Sequence, residues 1–132
     1  MKKCPICGAK IQGMGNNAYP LFEGICCDKC NSEKVIPFRL LISQFNKDDL
    51  IVITTGNTIY KKDLKEGNLS LKETQELVGG YIEVYPYENE LYYVFIDEDG
   101  LLKNGDFNPL AKRYLDIDVV GTVVLYPKEY IK

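Results

Sequence analysis

The sequence predicts an α+β protein, in which an N-terminal zinc-ribbon-like module precedes a small, mainly antiparallel sheet with two or three short helices. Two Cys-x-x-Cys motifs lie within the first 30 residues. Short runs rich in β-branched and aromatic residues follow them, with helix-capping residues between the runs. We therefore expect residues 1–46 to form the zinc-ribbon-like module and a docking helix, and residues 47–132 to form a small α+β domain.

The two Cys-x-x-Cys motifs have the spacing of a structural metal site. Nineteen residues separate them, and each is followed by a residue that tolerates a left-handed backbone, Gly8 or Asn31. Four thiolates complete the tetrahedral coordination of Zn²⁺ and leave no open position, so the predicted ion is structural. A pair of disulfides or a redox dithiol is the alternative. The predicted ligands are Cys4, Cys7, Cys27 and Cys30.

A fifth cysteine, Cys26, stands beside a predicted ligand. It could replace Cys27, but three residues would then separate it from Cys30, and the symmetry of the two motifs would be lost. We therefore expect Cys26 to be a small buried hydrophobic residue. Between the motifs, the glycines, asparagines and proline of residues 11–22 predict an irregular loop.

Periodicity and capping residues predict three helices. Apolar spacings of three and four follow the cysteines, and Pro37 suits a first helical turn that comes after a short turn of chain. Ser70 and Glu73 form a capping-box pattern, Gly79-Gly80 would end that helix, and Asn108 precedes a proline as an N-cap does. The predicted helices are Pro37–Gln44, which docks the module on the second part, Leu71–Val78 and Asn108–Leu115.

Runs of β-branched and aromatic residues predict the strands. Leu91–Asp97 is apolar almost throughout, so both of its faces are expected to be covered. Val119–Tyr126 has the strongest strand pattern. The remaining predicted strands or extended segments are Asp49–Thr55, Thr58–Lys61, Tyr81–Tyr85 and, after a turn at 98–100, Leu101–Lys103.

Composition and charge limit the classes of function that the sequence predicts. The chain has no histidine and hence lacks the commonest general base, so we predict that it is not an enzyme. Residues 1–45 carry six Lys/Arg and three Asp/Glu, whereas residues 46–132 carry ten and sixteen, so neither part predicts a strongly basic surface for nucleic acid. Grouped cysteines, the lack of an apolar stretch after Lys3 and the lack of a membrane-spanning run predict a cytoplasmic protein without membrane contact.

The motifs of the first 40 residues stand in a recognisable order. They are Cys4-Pro5-Ile6-Cys7-Gly8, Gly15-Asn16-Asn17, Tyr19-Pro20-Leu21, Cys26-Cys27-Asp28-Lys29-Cys30-Asn31 and Val35-Ile36-Pro37-Phe38-Arg39. In this order they resemble short four-cysteine zinc-binding segments of small phage-encoded proteins. The resemblance implies a phage setting and no particular activity.

The second part carries its own ordered motifs over about residues 50–127. They are Leu77–Glu83, Asp97–Leu102, Asn108–Ala111 and Val120–Val124. They resemble a family of small domains of unknown function that phages, plasmids and integrative elements encode. The resemblance implies an α+β fold and a mobile-element setting. No activity is attached to that family, so no functional residue is transferred from it.

The leading hypothesis is a non-enzymatic phage or mobile-element accessory protein that binds a host protein in the host cytoplasm, such as a defence or gene-expression factor. Tyrosines are common in interfaces, and strand alternation would place some of them on an open sheet face. The alternatives are nucleic-acid binding by the zinc ribbon and capture of a small nucleotide signal by a homo-oligomer, with the tyrosines as stacking groups. The nucleic-acid alternative would use six cations, which are Lys2, Lys3, Lys10, Lys29, Lys34 and Arg39. The residues predicted to bind a partner are Tyr81, Tyr85, Tyr92, Lys34 and Arg39.

Overall fold

The computed structural model describes residues 2–64, 71–78, 81–97 and 106–130. In this part of the chain, a cysteine-rich N-terminal segment precedes a five-stranded antiparallel sheet and short helices, which confirms the predicted α+β class. Four sequence-based predictions lie outside the described residues. They are the Ser70 cap, the helix stop at Gly79-Gly80, the turn at 98–100 and the strand Leu101–Lys103.

The N-terminal segment contains a short hairpin followed by a continuous helical stretch. Strand β1 (Asn16–Asn17), which lies within the loop predicted for residues 11–22, pairs antiparallel with β2 (Ile25–Cys26). The helical stretch consists of α1 (Asp28–Cys30), one π-helical turn (Asn31–Val35) and α2 (Ile36–Ile42). The chain therefore enters a helix directly after the second Cys-x-x-Cys motif.

The prediction of a non-helical turn before Pro37 was wrong. The chain is already helical there, and the Ile36 N–H donates to the carbonyl of Asn31 in the wider π-helical pattern. Proline lacks an N–H and its ring crowds the carbonyl four residues earlier, which normally breaks an α-helix. A π-turn shifts the hydrogen-bond register at that point, so Pro37 falls in the first turn of α2.

The main sheet has the strand order β4-β3-β7-β6-β5, and all neighbours are antiparallel. Its strands are β3 (Asp49–Ile53), β4 (Ile59–Asp63), β5 (Ile82–Tyr85), β6 (Tyr92–Asp97) and β7 (Val123–Pro127). The remaining α-helices among the described residues are α3 (Leu71–Val78) and α4 (Pro109–Leu115), and a 3-10 turn, Lys128–Tyr130, follows β7. Strand β3 lies between β4 and β7, and every one of its residues is buried.

Helical elements cover both faces of the sheet. Ile51 and Ile53 belong to a core that also contains Phe38 of α2 and Leu115 of α4. The alternate residues of β3 belong to a second core, which contains Val78 of α3. Helices α2 and α4 pack against each other on the first face, and α3 contacts β5, β6 and β7 on the second. The expectation that β6 is covered on both faces is therefore confirmed, since it contributes residues to both cores.

The final strand is shorter than predicted. It begins at Val123, whereas the sequence predicted a strand from Val119. Val120 forms an isolated bridge with Phe107, and Gly121 has a φ of 89° that interrupts the extended backbone. Residues 119–121 are therefore held against the segment that precedes α4 and do not extend the sheet.

Asn108 connects three parts of the fold through one fully buried side chain. Its Oδ1 accepts the N–H of Ala111 at 3.0 Å, which confirms the predicted N-cap of α4. Its Nδ2 donates to the carbonyls of Ile53 at 3.0 Å and Gly121 at 2.9 Å. The amide thus joins α4, the end of β3 and the segment before β7.

Replacing Asn108 should destabilise the whole domain. We expect Asn108→Ala to lower the free energy of unfolding by about 2–4 kcal/mol, because it removes the cap and leaves two carbonyls without their donor. Urea denaturation at neutral pH measures this change. The exposed neighbour Asp106→Ala is the control and should change stability by less than about 0.5 kcal/mol. Equal stability of Asn108→Ala and the wild type would contradict this role.

Candidate metal centre

The four predicted ligand sulfurs converge on one point. The Sγ atoms of Cys4, Cys7, Cys27 and Cys30 all lie within 4.8 Å of one another, and those of Cys7 and Cys27 are 3.7 Å apart. A tetrahedral zinc ion with Zn–S bonds of about 2.3 Å has sulfur–sulfur edges of about 3.8 Å. A disulfide needs about 2.05 Å, and all five cysteines are free thiols. The cluster can therefore hold a tetrahedral metal ion.

The local backbone aims the sulfurs at this point. In the first motif, the Gly8 N–H donates to the Cys4 carbonyl at 2.8 Å, and Gly8 has the left-handed φ of 79° that its sequence position predicted. In the second motif, the Cys30 N–H donates to Cys27 Sγ at 3.5 Å, and Cys27 is the N-cap of α1. Asn31 does not adopt the expected left-handed conformation, with a φ of −59°, because the chain continues into the helical stretch.

The electrostatics of the cluster suit a bound cation. Burial raises the pKa of the Cys4 thiol, but backbone hydrogen bonds from Cys27, Cys7 and Ile6 outweigh it and lower that pKa to about 6. Burial, followed by hydrogen bonds with the neighbouring thiols, raises the pKa of Cys30 well above its usual value. A metal ion would offset the repulsion among the sulfurs and allow all four to bind as thiolates.

The adjacent Cys26 has a separate role. Its side chain is fully buried in the hydrophobic core, as the sequence predicted, and it is not one of the four clustered sulfurs. Burial, with the neighbouring Cys4 sulfur as a second cause, raises the pKa of its thiol. Cys26 therefore packs as an uncharged hydrophobic residue beside the four-cysteine cluster.

Both predicted cationic contacts are occupied within the chain. Lys34 forms an ion pair with Asp116, which follows α4. Arg39 donates from Nε to the Tyr19 carbonyl at 2.8 Å and from Nη2 to the Asn17 carbonyl at 2.7 Å. Lys34 thus joins the helical stretch to the second part, and Arg39 holds the loop between the two cysteine motifs.

The three predicted tyrosines do not form one binding face. Tyr92 is 4% exposed, and its ring lies edge-on to Phe38 with 6.3 Å between the ring centroids, so its assignment as a partner-binding residue is corrected to a core residue. Tyr85 is half-buried against the same core, whereas Tyr81 is 68% exposed. Strand alternation predicted one open face, but α2 and α3 cover the two sides of the sheet.

A groove of about 320 Å³ lies between the N-terminal cysteine-rich segment and the end of β5. Lys34 and Tyr85 both line it, so the structure brings these two predicted residues together, while Arg39 and Tyr81 do not line it. Tyr87 and Asp116, which the sequence did not indicate as site residues, also line the groove. Burial and the charge of Asp116 raise the pKa of Tyr87, whose buried hydroxyl has no hydrogen-bond partner among the described residues. No sequence motif marks either residue.

Residues 47–129 match the family described as Domain of unknown function (DUF3846). This chain belongs to that family. The match confirms that the second part resembles a family of domains of unknown function, and the four-cysteine cluster precedes the matched region. No curated protein and no solved structure matches the chain. Within the described ranges, no helix has the length and hydrophobicity needed to cross a bilayer.

Two adjacent cysteines, Cys26 and Cys27, allow a matched test of whether the four-cysteine cluster binds a metal ion. We expect Cys27→Ala to weaken metal affinity by at least about a hundredfold, because one thiolate ligand is lost, while Cys26→Ala keeps one ion per chain. Metal content after reconstitution under reducing conditions, and the visible absorption of a Co²⁺-loaded thiolate site, measure both. Full metal content in Cys27→Ala, or its loss only in Cys26→Ala, would contradict the assignment.

The Lys34–Asp116 pair should contribute modestly to stability. A double-mutant cycle with Lys34→Met and Asp116→Asn should give a coupling of about 0.5–1 kcal/mol at neutral pH. Asparagine tolerates the φ of 57° at this position, so mainly the charge changes.

The same pair fixes the direction of a pH effect. The hydrogen bond between Lys34 and Asp116 lowers the pKa of Asp116 in the folded state. The contribution of the pair to folding stability is therefore complete above the ordinary carboxyl pKa of about 4. It should be lost as the pH falls through the lower folded-state pKa. Denaturation of the four proteins of the cycle over a pH series measures it, and a coupling that grows with acidity would contradict the assignment.

Proposed function

We propose that this chain is a non-enzymatic accessory protein of a phage or other mobile element, that it binds a host protein, and that a structural zinc ion stabilises its N-terminal module. The observation that carries the proposal of protein binding is exposed apolar surface at the edge of the DUF3846 sheet. Tyr81 is 68% exposed and Val84 of β5 is 55% exposed. Tyr81 directly precedes β5, and solvent-facing tyrosine and aliphatic side chains at a sheet edge are typical of surfaces that bind other proteins.

The donor set supports zinc in a structural role. Four thiolates are a soft ligand set that favours zinc or iron over magnesium and calcium. All four coordination positions of a tetrahedral ion would be taken by sulfur, so no position is left for a substrate or a reactive water. The metal would thus stabilise a segment too small to bury a sufficient core of its own.

Three features support binding without catalysis. The chain has no histidine. The ammonium group in the groove, on Lys34, is paired with the carboxylate of Asp116. The oxygen of Tyr87 is buried, and its pKa is raised, which disfavours the phenolate form that would act as a base.

Affinity capture from host cells tests the proposal. The tagged full chain should recover one host protein in near-stoichiometric amount, and a Tyr81→Ala/Val84→Glu double variant should reduce its recovery by about tenfold, because it removes exposed apolar contact area. Leu40→Glu is a matched control, since Leu40 is equally apolar, 58% exposed and located on α2.

The outcomes of the capture are distinct. Loss of the partner with Leu40→Glu alone would assign binding to α2 and contradict the role of the sheet edge. A host lysate that yields no stoichiometric partner would contradict protein binding itself. Unfolding measurements on each variant exclude a general loss of stability.

Nucleic-acid binding by the metal module is a second candidate. Lys2, Lys3, Lys10 and Lys29 are exposed, and Lys3 and Lys10 are partners in a β-bridge. The internal contacts of Lys34 and Arg39 remove two of the six cations on which this candidate was based. A salt-dependent gel shift distinguishes it from protein binding. Nucleotide capture by stacked tyrosines receives less support, since Tyr92 is a core residue.

A further inference from the structure

The two edges of the DUF3846 sheet carry different charges. At one edge, β4 exposes Lys61 and Lys62, and lysines on an edge strand oppose pairing with other chains. At the other edge, β5 has one charged residue, Glu83, beside the exposed Val84. Among the described residues, β5 pairs with β6 and with no other strand. The outer edge of β5 is therefore the more apolar of the two exposed edges.

The surroundings of β5 are acidic. Residues 73–97 contain no lysine or arginine, and Glu83, Glu88 and Glu90 are exposed. Lys128 borders the same region, but its ammonium group donates to the Asn89 carbonyl at 2.6 Å and lies over the Tyr93 ring. The net field at this edge therefore attracts positive charge.

The two faces of the sheet carry different side chains at this edge, because successive residues of β5 point to opposite faces. Ile82 packs against the core beneath α3, and Val84 points to the same face because it lies two residues further along the strand. Glu83 points to the opposite face, where Tyr85 packs against the core beneath α2. A strand paired with β5 would meet apolar side chains on one face and a carboxylate on the other.

We propose that the outer edge of β5 binds an extended segment of the partner protein, which joins the sheet as a further strand and alternates apolar and basic side chains. This inference rests on the proposed protein-binding function and specifies its binding mode and the chemistry of the partner. Backbone hydrogen bonds would supply sequence-independent affinity, and the alternating side chains would supply specificity. A second copy of the chain fits less well, because it would bring its own Glu83, Glu88 and Glu90 to the same edge.

A model peptide tests this edge directly. The probe is an acetylated and amidated peptide of alternating valine and lysine, titrated into the isotope-labelled full chain while the amide NMR spectrum is recorded. The largest shifts are expected at residues 82–85. A peptide of alternating valine and glutamate should bind about fivefold to tenfold more weakly, since it replaces attraction to Glu83 by repulsion. N-methylation of every residue in the valine–lysine peptide should abolish binding, because it removes the backbone donors along both edges.

A charge reversal gives the sharpest control. Glu83→Lys should reverse the preference, so that the valine–glutamate peptide binds more tightly than the valine–lysine peptide. Lys62→Glu on the opposite edge should leave both affinities unchanged. Binding of the acidic peptide by Glu83→Lys would show that this variant is folded. A weaker affinity of the variant for the basic peptide could then be attributed to the reversed charge.

Several results would overturn the inference. They are the absence of shifts in β5 at saturating peptide, equal binding of the two peptides, or shifts centred on another element. Self-association in sedimentation that depends on Glu83 would make a second copy the occupant. A captured host protein that binds wild type and Glu83→Lys equally would refute the β5 edge while protein binding stands. Specific peptide binding at β5 without any host partner would instead refute the host-protein proposal.

Discussion

The helical stretch from Asp28 to Ile42 joins the four-cysteine cluster to the sheet. At one end it carries Cys30, a member of the four-sulfur cluster, and at the other end it carries Phe38 and Leu41, both fully buried against the sheet. The ring of Phe38 meets Tyr87 and Tyr92 edge-on, with centroid distances of 5.5 and 6.3 Å. Because one helical stretch contributes to both sites, the four-cysteine cluster and the sheet share a continuous hydrophobic core.

Polar contacts reinforce this arrangement from both ends of the module. Arg39 holds the carbonyls of Asn17 and Tyr19, and Lys34 reaches Asp116 after α4. These cations stand on the helical stretch, so the helix that docks on the sheet also fixes the loop between the cysteine motifs. The two basic residues that the sequence offered as contacts for a partner are thus used to join parts of the chain. The division at residues 46 and 47 into two domains stays a prediction.

Features that depend on residues close together in the sequence could be predicted from it, whereas features that depend on contacts between distant segments could not. Cys-x-x-Cys spacing, the Asn108 cap and the strand patterns are local, and the sequence alone predicted the sulfur cluster, α4 and most strands. Whether a strand residue faces solvent depends on helices distant in sequence, so alternation could not separate the buried Tyr92 from the exposed Tyr81. The ion pair of Lys34 spans 82 residues, and no local pattern marks it.

The N-terminal cysteine-rich segment also contacts the connection that leads out of β5. The Glu90 N–H donates to the Pro20 carbonyl at 2.7 Å, and Asn89 orders the same connection by accepting the N–H groups of Leu91 and Tyr92. Pro20 lies in the loop that Arg39 secures at its neighbour Tyr19. A continuous set of contacts therefore runs from the four-cysteine cluster, through this loop, to the connection between β5 and β6. In this arrangement a bound metal would stabilise the loop that contacts the connection between β5 and β6.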